Sequence, residues 1–236
     1  MIYRHDVKSA AIVAERNIKQ EQLKEGRLPF FEKVAQESDV KNFQSSVPLA
    51  SLVKGRVVIS FGEGETKNSM PVESPEAASI TSTTGQLEWF RTPKGYFTIN
   101  TNGTQGMVGF SSGKKLDFDD FTLKTPNEFA IILLHSNLKD KDIASSKSII
   151  VTTIARARNT GMQYNDKKDE LLELGTAPIL LEPVVLELTL KKRKNLQVYI
   201  LDHSGNRTGE KIPLNKGSII LDGRKYKAIY YELAEE

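Results

Sequence analysis

Phe129-Ala130-Ile131-Ile132-Leu133-Leu134-His135-Ser136 and Ser148-Ile149-Ile150-Val151-Thr152-Thr153-Ile154-Ala155-Arg156-Ala157-Arg158 are two short runs set apart by polar residues. Both are rich in aliphatic and β-branched side chains, which suit a pleated strand better than a helix. The pattern repeats upstream. Leu49–Val53 and Arg56–Phe61 are apolar runs bounded by Gly55 and Gly62. Gly62–Ala78 is polar, with Gly, Ser, Asn and Pro, and reads as a long loop. Ser79–Ser82, Gln86–Phe90, Tyr96–Asn100, Gly106–Phe110 and Phe118–Leu123 follow, with Arg91-Thr92-Pro93-Lys94-Gly95 as a hairpin loop. Short strands at this spacing, with no βαβ alternation, predict an all-β protein built on an antiparallel β-sandwich over residues 45–182.

The apolar stretch Pro178–Leu190 is interrupted by Pro183, where a break is expected because proline cannot donate to a sheet ladder. Beyond it, Val184–Leu190, Leu196–Asp202, Gly217–Leu221 and Lys227–Leu233 read as four strands of a small C-terminal β domain, 183–236. Turns with glycine at Asp202–Asn206 and Leu221–Arg224 separate them. Residues 1–44 form a mixed segment. Val7–Ile18 is strand or helix, Lys19–Lys24 is helix-prone, and Leu28–Val40 reads as a loop with a short helical turn. Its strand-like part is the candidate to complete the sheet of the small C-terminal domain.

The chain has 236 residues, 33 basic and 30 acidic, a net charge of +3 and no cysteine. That length buries a core without disulfides or metal. Cysteine chemistry, from disulfides to thiolate zinc, is excluded. The dense basic run Lys191-Lys192-Arg193-Lys194 lies between two strand-like segments and reads as a solvated turn, so no nucleic-acid partner is expected. No apolar stretch approaches the ~18 residues that cross a bilayer, so no membrane partner is expected either. Met1–Asp6 lacks a signal-peptide pattern and reads as the interior of a longer polypeptide.

Three phrases carry a family resemblance. The first is Thr84-Gly85-Gln86-Leu87-Glu88-Trp89, with Gly95–Thr101 and Thr104–Phe110 after it. The second is Ala155-Arg156-Ala157-Arg158-Asn159-Thr160-Gly161-Met162-Gln163-Tyr164-Asn165. The third is Gly175-Thr176-Ala177-Pro178-Ile179-Leu180-Leu181-Glu182-Pro183-Val184. In this order they resemble the C-terminal β-rich accessory region of large bacterial glycoside-hydrolase-like proteins, in which a (β/α)-barrel carries the sugar chemistry. Val198–Asp202 through Tyr230–Leu233 resembles the small closing sandwich of that architecture. The resemblance implies a non-catalytic accessory region that supports an adjoining catalytic barrel domain and extends to contact with carbohydrate. It also implies a setting in polysaccharide degradation and an extracellular or periplasmic location. An independent carbohydrate-binding module is the alternative.

Catalysis by this chain alone lacks its parts. Glycoside hydrolysis needs two carboxyl groups across the scissile bond, which the resembled proteins carry on the barrel. His5, His135 and His203 have no partners at metal-ligand spacing, and no catalytic residue is assigned. Asp117, Asp119 and Asp120 form an acidic cluster that makes a weak Ca²⁺ candidate, and no other cofactor is expected. Carbohydrate contact would use Tyr164 as an exposed platform, with Trp89, Tyr96, Asn159 and Asn165 as further candidates. Glu182, in an apolar run, is expected to pair with Arg156 or Arg158 as a strut between the two β units. The loop Gly161–Gly175, with a helical turn at Asp169–Leu174, is placed either at a binding site or at a docking contact with the barrel.

Overall fold

The computed structural model describes residues 6–20, 47, 48, 50–70, 77–111, 113–139, 141–193 and 195–235. The protein is all-β and falls into two compact units. Val7–Pro93 form one; Lys94–Glu236, with Met1–Asp6, form the other. Among the described residues, no helix is long and apolar enough to cross a membrane.

In the first unit, β1 (Ile12–Ile18) lies between β2 (Arg56–Phe61) and β3 (Lys67–Asn68). It runs parallel to β2 and antiparallel to β3. The expectation that this N-terminal strand completes a C-terminal sheet is therefore corrected: its partners are local to its own unit. Leu49–Val53, read as a strand, instead gives a single helical turn over Ser51–Lys54. A hairpin of β4 (Ser79–Thr81) and β5 (Leu87–Phe90) turns at Gly85, with φ +70°. Val13, Ala14, Ile18 and Ile80 are buried. Ile2–Arg4, His5 and Leu28–Val40 lie outside the described residues.

The second unit carries β6 (Tyr96–Asn100), β7 (Thr104–Gly109), β8 (Lys115–Asp117), β9 (Phe121–Lys124), β10 (Ala130–Ser136) and β11 (Ser148–Ile154). Next come β12 (Ala157–Thr160), β13 (Gln163–Tyr164), β14 (Leu171–Glu173) and β15 (Thr176–Leu181). The chain ends with β16 (Val185–Leu190), β17 (Gln197–Leu201), β18 (Arg207–Ile212), β19 (Ser218–Asp222) and β20 (Tyr230–Ala234). One antiparallel sheet runs β18-β17-β20-β11-β10-β7-β6 within this unit, and a second runs β19-β16-β9-β8.

β10 and β11 bury every second residue, so Ala130, Ile132, Leu134, Ile149 and Val151 face the core. This is the period-2 pleat of a half-buried strand. Each buried Leu or Ile contributes about 1.5–3 kcal/mol of transfer energy. Phe121, Leu123, Leu186, Leu188 and Leu221 of the smaller sheet are equally buried, and the rings of Phe118 and Phe121 lie 5.0 Å apart.

The C-terminal strands are not a separate small domain. β20 pairs with β11, from Ser148↔Ala234 to Thr152↔Tyr230, and β16 pairs with β9. About fifty residues make only a small core, and here they extend the two sheets begun by the central strands. The chain divides near Pro93 rather than at residue 182.

Candidate functional site

Four strands leave the two main sheets. β12 pairs with β15, and β13 pairs with β14. Together they make a β-arm over residues 157–181. Gly161–Gly175, read as a loop with a helical turn, is thus strand at both ends, with β14 where the turn was expected.

Glycine chemistry shapes the arm at one tight point. Gly175 has φ +70°, and a Cβ there would lie 2.5 Å from Thr160 O and 2.6 Å from Met162 N. Only glycine lets the two limbs approach so closely. At the tip, Asn165 Nδ2 donates to Asp169 Oδ1 at 2.7 Å, and Asn165 Oδ1 accepts from Asp169 N at 3.2 Å. Midway, Asn159 Nδ2 donates to Leu174 O at 3.0 Å, and Thr160 Oγ1 donates to Pro178 O at 2.8 Å.

The root is held by two neighbours, Asn127 and Glu128. Asn127 Nδ2 donates to Glu182 Oε1 at 3.1 Å and to Pro183 O at 3.0 Å. Its Oδ1 accepts from Val185 N at 3.0 Å. Glu128 accepts from Arg156 Nη2 at 2.8 Å and also pairs with Lys94. Hydrogen bonds from Lys94 first, then Arg156, hold the Glu128 carboxyl down at about 2.

The expected strut is corrected here. Glu182 is half-buried, takes Asn127 as its side-chain partner, and meets Arg156 only through its backbone N–H to Arg156 O at 2.8 Å. The Arg156 guanidinium goes to Glu128. That of Arg158 lies over the Tyr164 ring, 5.1 Å from its centroid.

The arm exposes large apolar side chains along its length. Exposure runs from 38% at Tyr164 to 65% at Leu174 and Ile179, and includes Leu171, Leu172, Leu180 and Leu181. Clusters of exposed apolar side chains of this kind are candidates for an interaction surface.

Within the second unit, Tyr96 and Tyr164, both proposed for sugar contact, differ in exposure and do not form one platform. Tyr96 is buried in β6, with the Lys114 ammonium 5.4 Å from its ring centroid. Burial removes Tyr96 from any sugar-stacking role. Trp89 is half-buried on β5 of the other unit, with Arg91 5.7 Å from its ring centroid. Tyr164 is exposed, as expected, but one face carries Arg158. Asn159 and Asn165 spend their amides within the arm.

The acidic cluster is divided among separate partners. Asp117 pairs with Lys191 at 2.9 Å, and Asp119 Oδ1 accepts from Asn100 Nδ2 at 3.1 Å. Asp120 Oδ2 accepts from Gln105 Nε2 at 2.7 Å. Among the described residues, no three His, Asp or Glu side chains converge as a metal site. The described residues of the basic run are likewise engaged internally: Lys191 donates to Phe118 O, Lys192 lies 3.5 Å from Asp120, and Arg193 reaches Ser146 O and Glu235. His203 sits exposed in the Asp202–Asn206 turn.

Sequence reasoning missed the arm's leucines as functional candidates. The available signal was adjacency: Leu171-Leu172 and Ile179-Leu180-Leu181 place apolar residues on both faces of a strand. Such runs ordinarily mark burial. Comparison with protein-family models, curated proteins and solved structures gives no match to this chain.

Proposed function

We propose that the chain is a non-catalytic β-sandwich accessory region of a glycoside-hydrolase-like protein, and that the β-arm docks it against the catalytic barrel. The observation that carries this reading is the arm's apolar surface, projected from a well-packed sandwich and exposed among the described residues. Two of the three phrases behind the family resemblance, Ala155–Asn165 and Gly175–Val184, are the two limbs of this arm. That coincidence supports docking over sugar contact, because Tyr96 is buried, Asn159 and Asn165 spend their amides within the arm, and Arg158 takes one face of Tyr164.

The test is association of the 236-residue chain with the barrel encoded in the same reading frame, expressed separately. Co-elution on size exclusion, a raised melting temperature for the barrel, and loss of both with Ile179→Asp are expected. Absence of any association, or hydrolysis of glycosides by the chain alone, overturns the reading.

A further inference from the structure

We propose that Asn127-Glu128 is a clamp that fixes the angle at which the β-arm leaves the sandwich, and that its release lets the arm swing about its root as one body. The clamp concerns the arm's orientation and holds whatever the arm meets. A strand ladder, burial or contacts at the root could each set that angle. Among the described residues, the strands of the arm pair with one another and with no strand of the two main sheets. From Arg156 to Pro183 no residue is buried, so burial does not hold the arm either. The root remains. Ala155 on one limb and Val184 on the other are buried, and the pivot lies just outside them. There Glu182 N donates to Arg156 O at 2.8 Å, which ties one limb to the other but neither to the sandwich.

The clamp residues take one limb each. Asn127 holds the returning limb: its Nδ2 donates to Glu182 Oε1 and Pro183 O, and its Oδ1 accepts from Val185 N. The same Oδ1 also accepts from Thr125 Oγ1 at 3.1 Å, and Thr125 is buried. A side-chain amide has two donor and two acceptor positions, so every position is filled and the group cannot turn without breaking a bond. Thr125 Oγ1 in turn accepts from Asn127 N at 3.2 Å, which anchors the clamp in the core. Glu128 holds the outgoing limb, with one carboxylate oxygen on Arg156 and the other on Lys94. Beyond the root the arm is cross-braced. Arg158 over Tyr164, Asn159 Nδ2 to Leu174 O and the close approach at Gly175 join the β12–β15 ribbon to the β13–β14 ribbon. Two adjacent residues thus grip both limbs of a braced lever, and their loss frees the whole arm rather than fraying it.

The chain has no cysteine, so spin labels attach only where cysteine is introduced. Lys167→Cys at the exposed tip with Lys115→Cys on β8 reads the arm's angle, and Lys167→Cys with Thr176→Cys reads the arm's interior. Distances are measured by double electron–electron resonance in the otherwise unaltered chain and in Asn127→Ala/Glu128→Gln. Circular dichroism checks that each variant is folded. Without the clamp substitutions, each pair should give one narrow distance. With them, the tip-to-β8 distribution should widen roughly twofold or more, because few contacts are left to oppose local motion. The distribution within the arm should stay narrow. Arg156→Gln frees only the outgoing limb and should widen the tip-to-β8 distribution partway; it carries the test if the double variant does not fold. An unchanged width in the folded variants overturns the clamp, as does a distribution already as wide without them. Widening within the arm to the same extent overturns the swing as one body.

Discussion

Asn127 and Glu182 lie 55 positions apart in sequence, and the amide of the first donates to the carboxylate of the second at 3.1 Å. The same amide reaches Pro183 O and Val185 N, so one side chain spans the point where the arm returns to the sandwich. Asn127→Ala removes all of these contacts and leaves half-buried backbone groups to water. A net loss of about 1–3 kcal/mol is expected, since each such bond contributes about 0.5–1.5 kcal/mol. Chemical denaturation should show it, and hydrogen exchange should show the Val185 amide losing protection while the β10 amides keep theirs.

Glu128 gives the arm root a pH dependence of known sign. Its folded carboxyl is held at about 2, below the ordinary 4.5, chiefly by Lys94 and Arg156. A depressed carboxyl adds stability above its unfolded value and loses it as pH falls through the folded one. The contribution is thus complete at neutral pH and disappears between about 4.5 and about 2. Glu128→Gln should melt below the wild type at pH 7 and converge with it near the acid limit. Added salt should narrow the neutral-pH gap, because the pair is partly exposed. A gap that persists unchanged at the acid limit would remove the ion pair as its cause.

How much of this was legible in the sequence depended on where each side chain points. β10 and β11 were readable because one face of each is buried. Their aliphatic, β-branched composition and bounding turn residues declare a strand before any partner is known. β18 was not readable. Its Arg207-Thr208-Gly209-Glu210-Lys211 is exposed at a sheet edge, and only Ile212 is buried, so no apolar pattern marks it. The C-terminal strands were found in the right places but assigned to a separate domain, because pairing such as Val151↔Tyr231 is a long-range fact that local patterning does not carry. The arm misled for the opposite reason. Ile179-Leu180-Leu181 looks like the interior of a sandwich, yet all three side chains are exposed. Tyr164 was correctly placed as exposed, yet nothing local announced that Arg158 would occupy its ring.

Gly106 tests the close approach of two central strands. It lies in β7 at φ +153°, and an added Cβ would come within 2.0 Å of Ile132 O and 2.9 Å of Leu133 Cα in β10. Backbone cannot step aside as a flexible side chain can. Gly106→Ala must therefore pry β7 from β10 or break their pairing. A loss of about 3 kcal/mol or more is expected, in the range reserved for core overpacking and backbone strain. Gly85→Ala, at an open turn with nothing near its Cβ, should cost distinctly less, which isolates strand contact from positive φ alone.

The buried pair Gln105 and Asp120 ties β7 to the turn before β9. Gln105 is fully buried; its Nε2 donates to Thr101 O at 3.2 Å and to Asp120 Oδ2 at 2.7 Å, while its Oε1 accepts from Asp120 N at 3.2 Å. Asp120 Oδ1 is buried without a hydrogen bond, and Lys192 Nζ stands 3.5 Å away. Removing one member strands the other, so Asp120→Ala and Gln105→Ala should each cost about 2–3 kcal/mol through an unsatisfied buried group. Removing both should cost less than the sum, because the double variant leaves neither group stranded by the other. A double-mutant cycle by urea denaturation should therefore return a coupling of about 1 kcal/mol or more, as for residues in one hydrogen-bond network. Simple additivity would mean that the two side chains act independently, with Lys192 rather than Gln105 holding Asp120 in place.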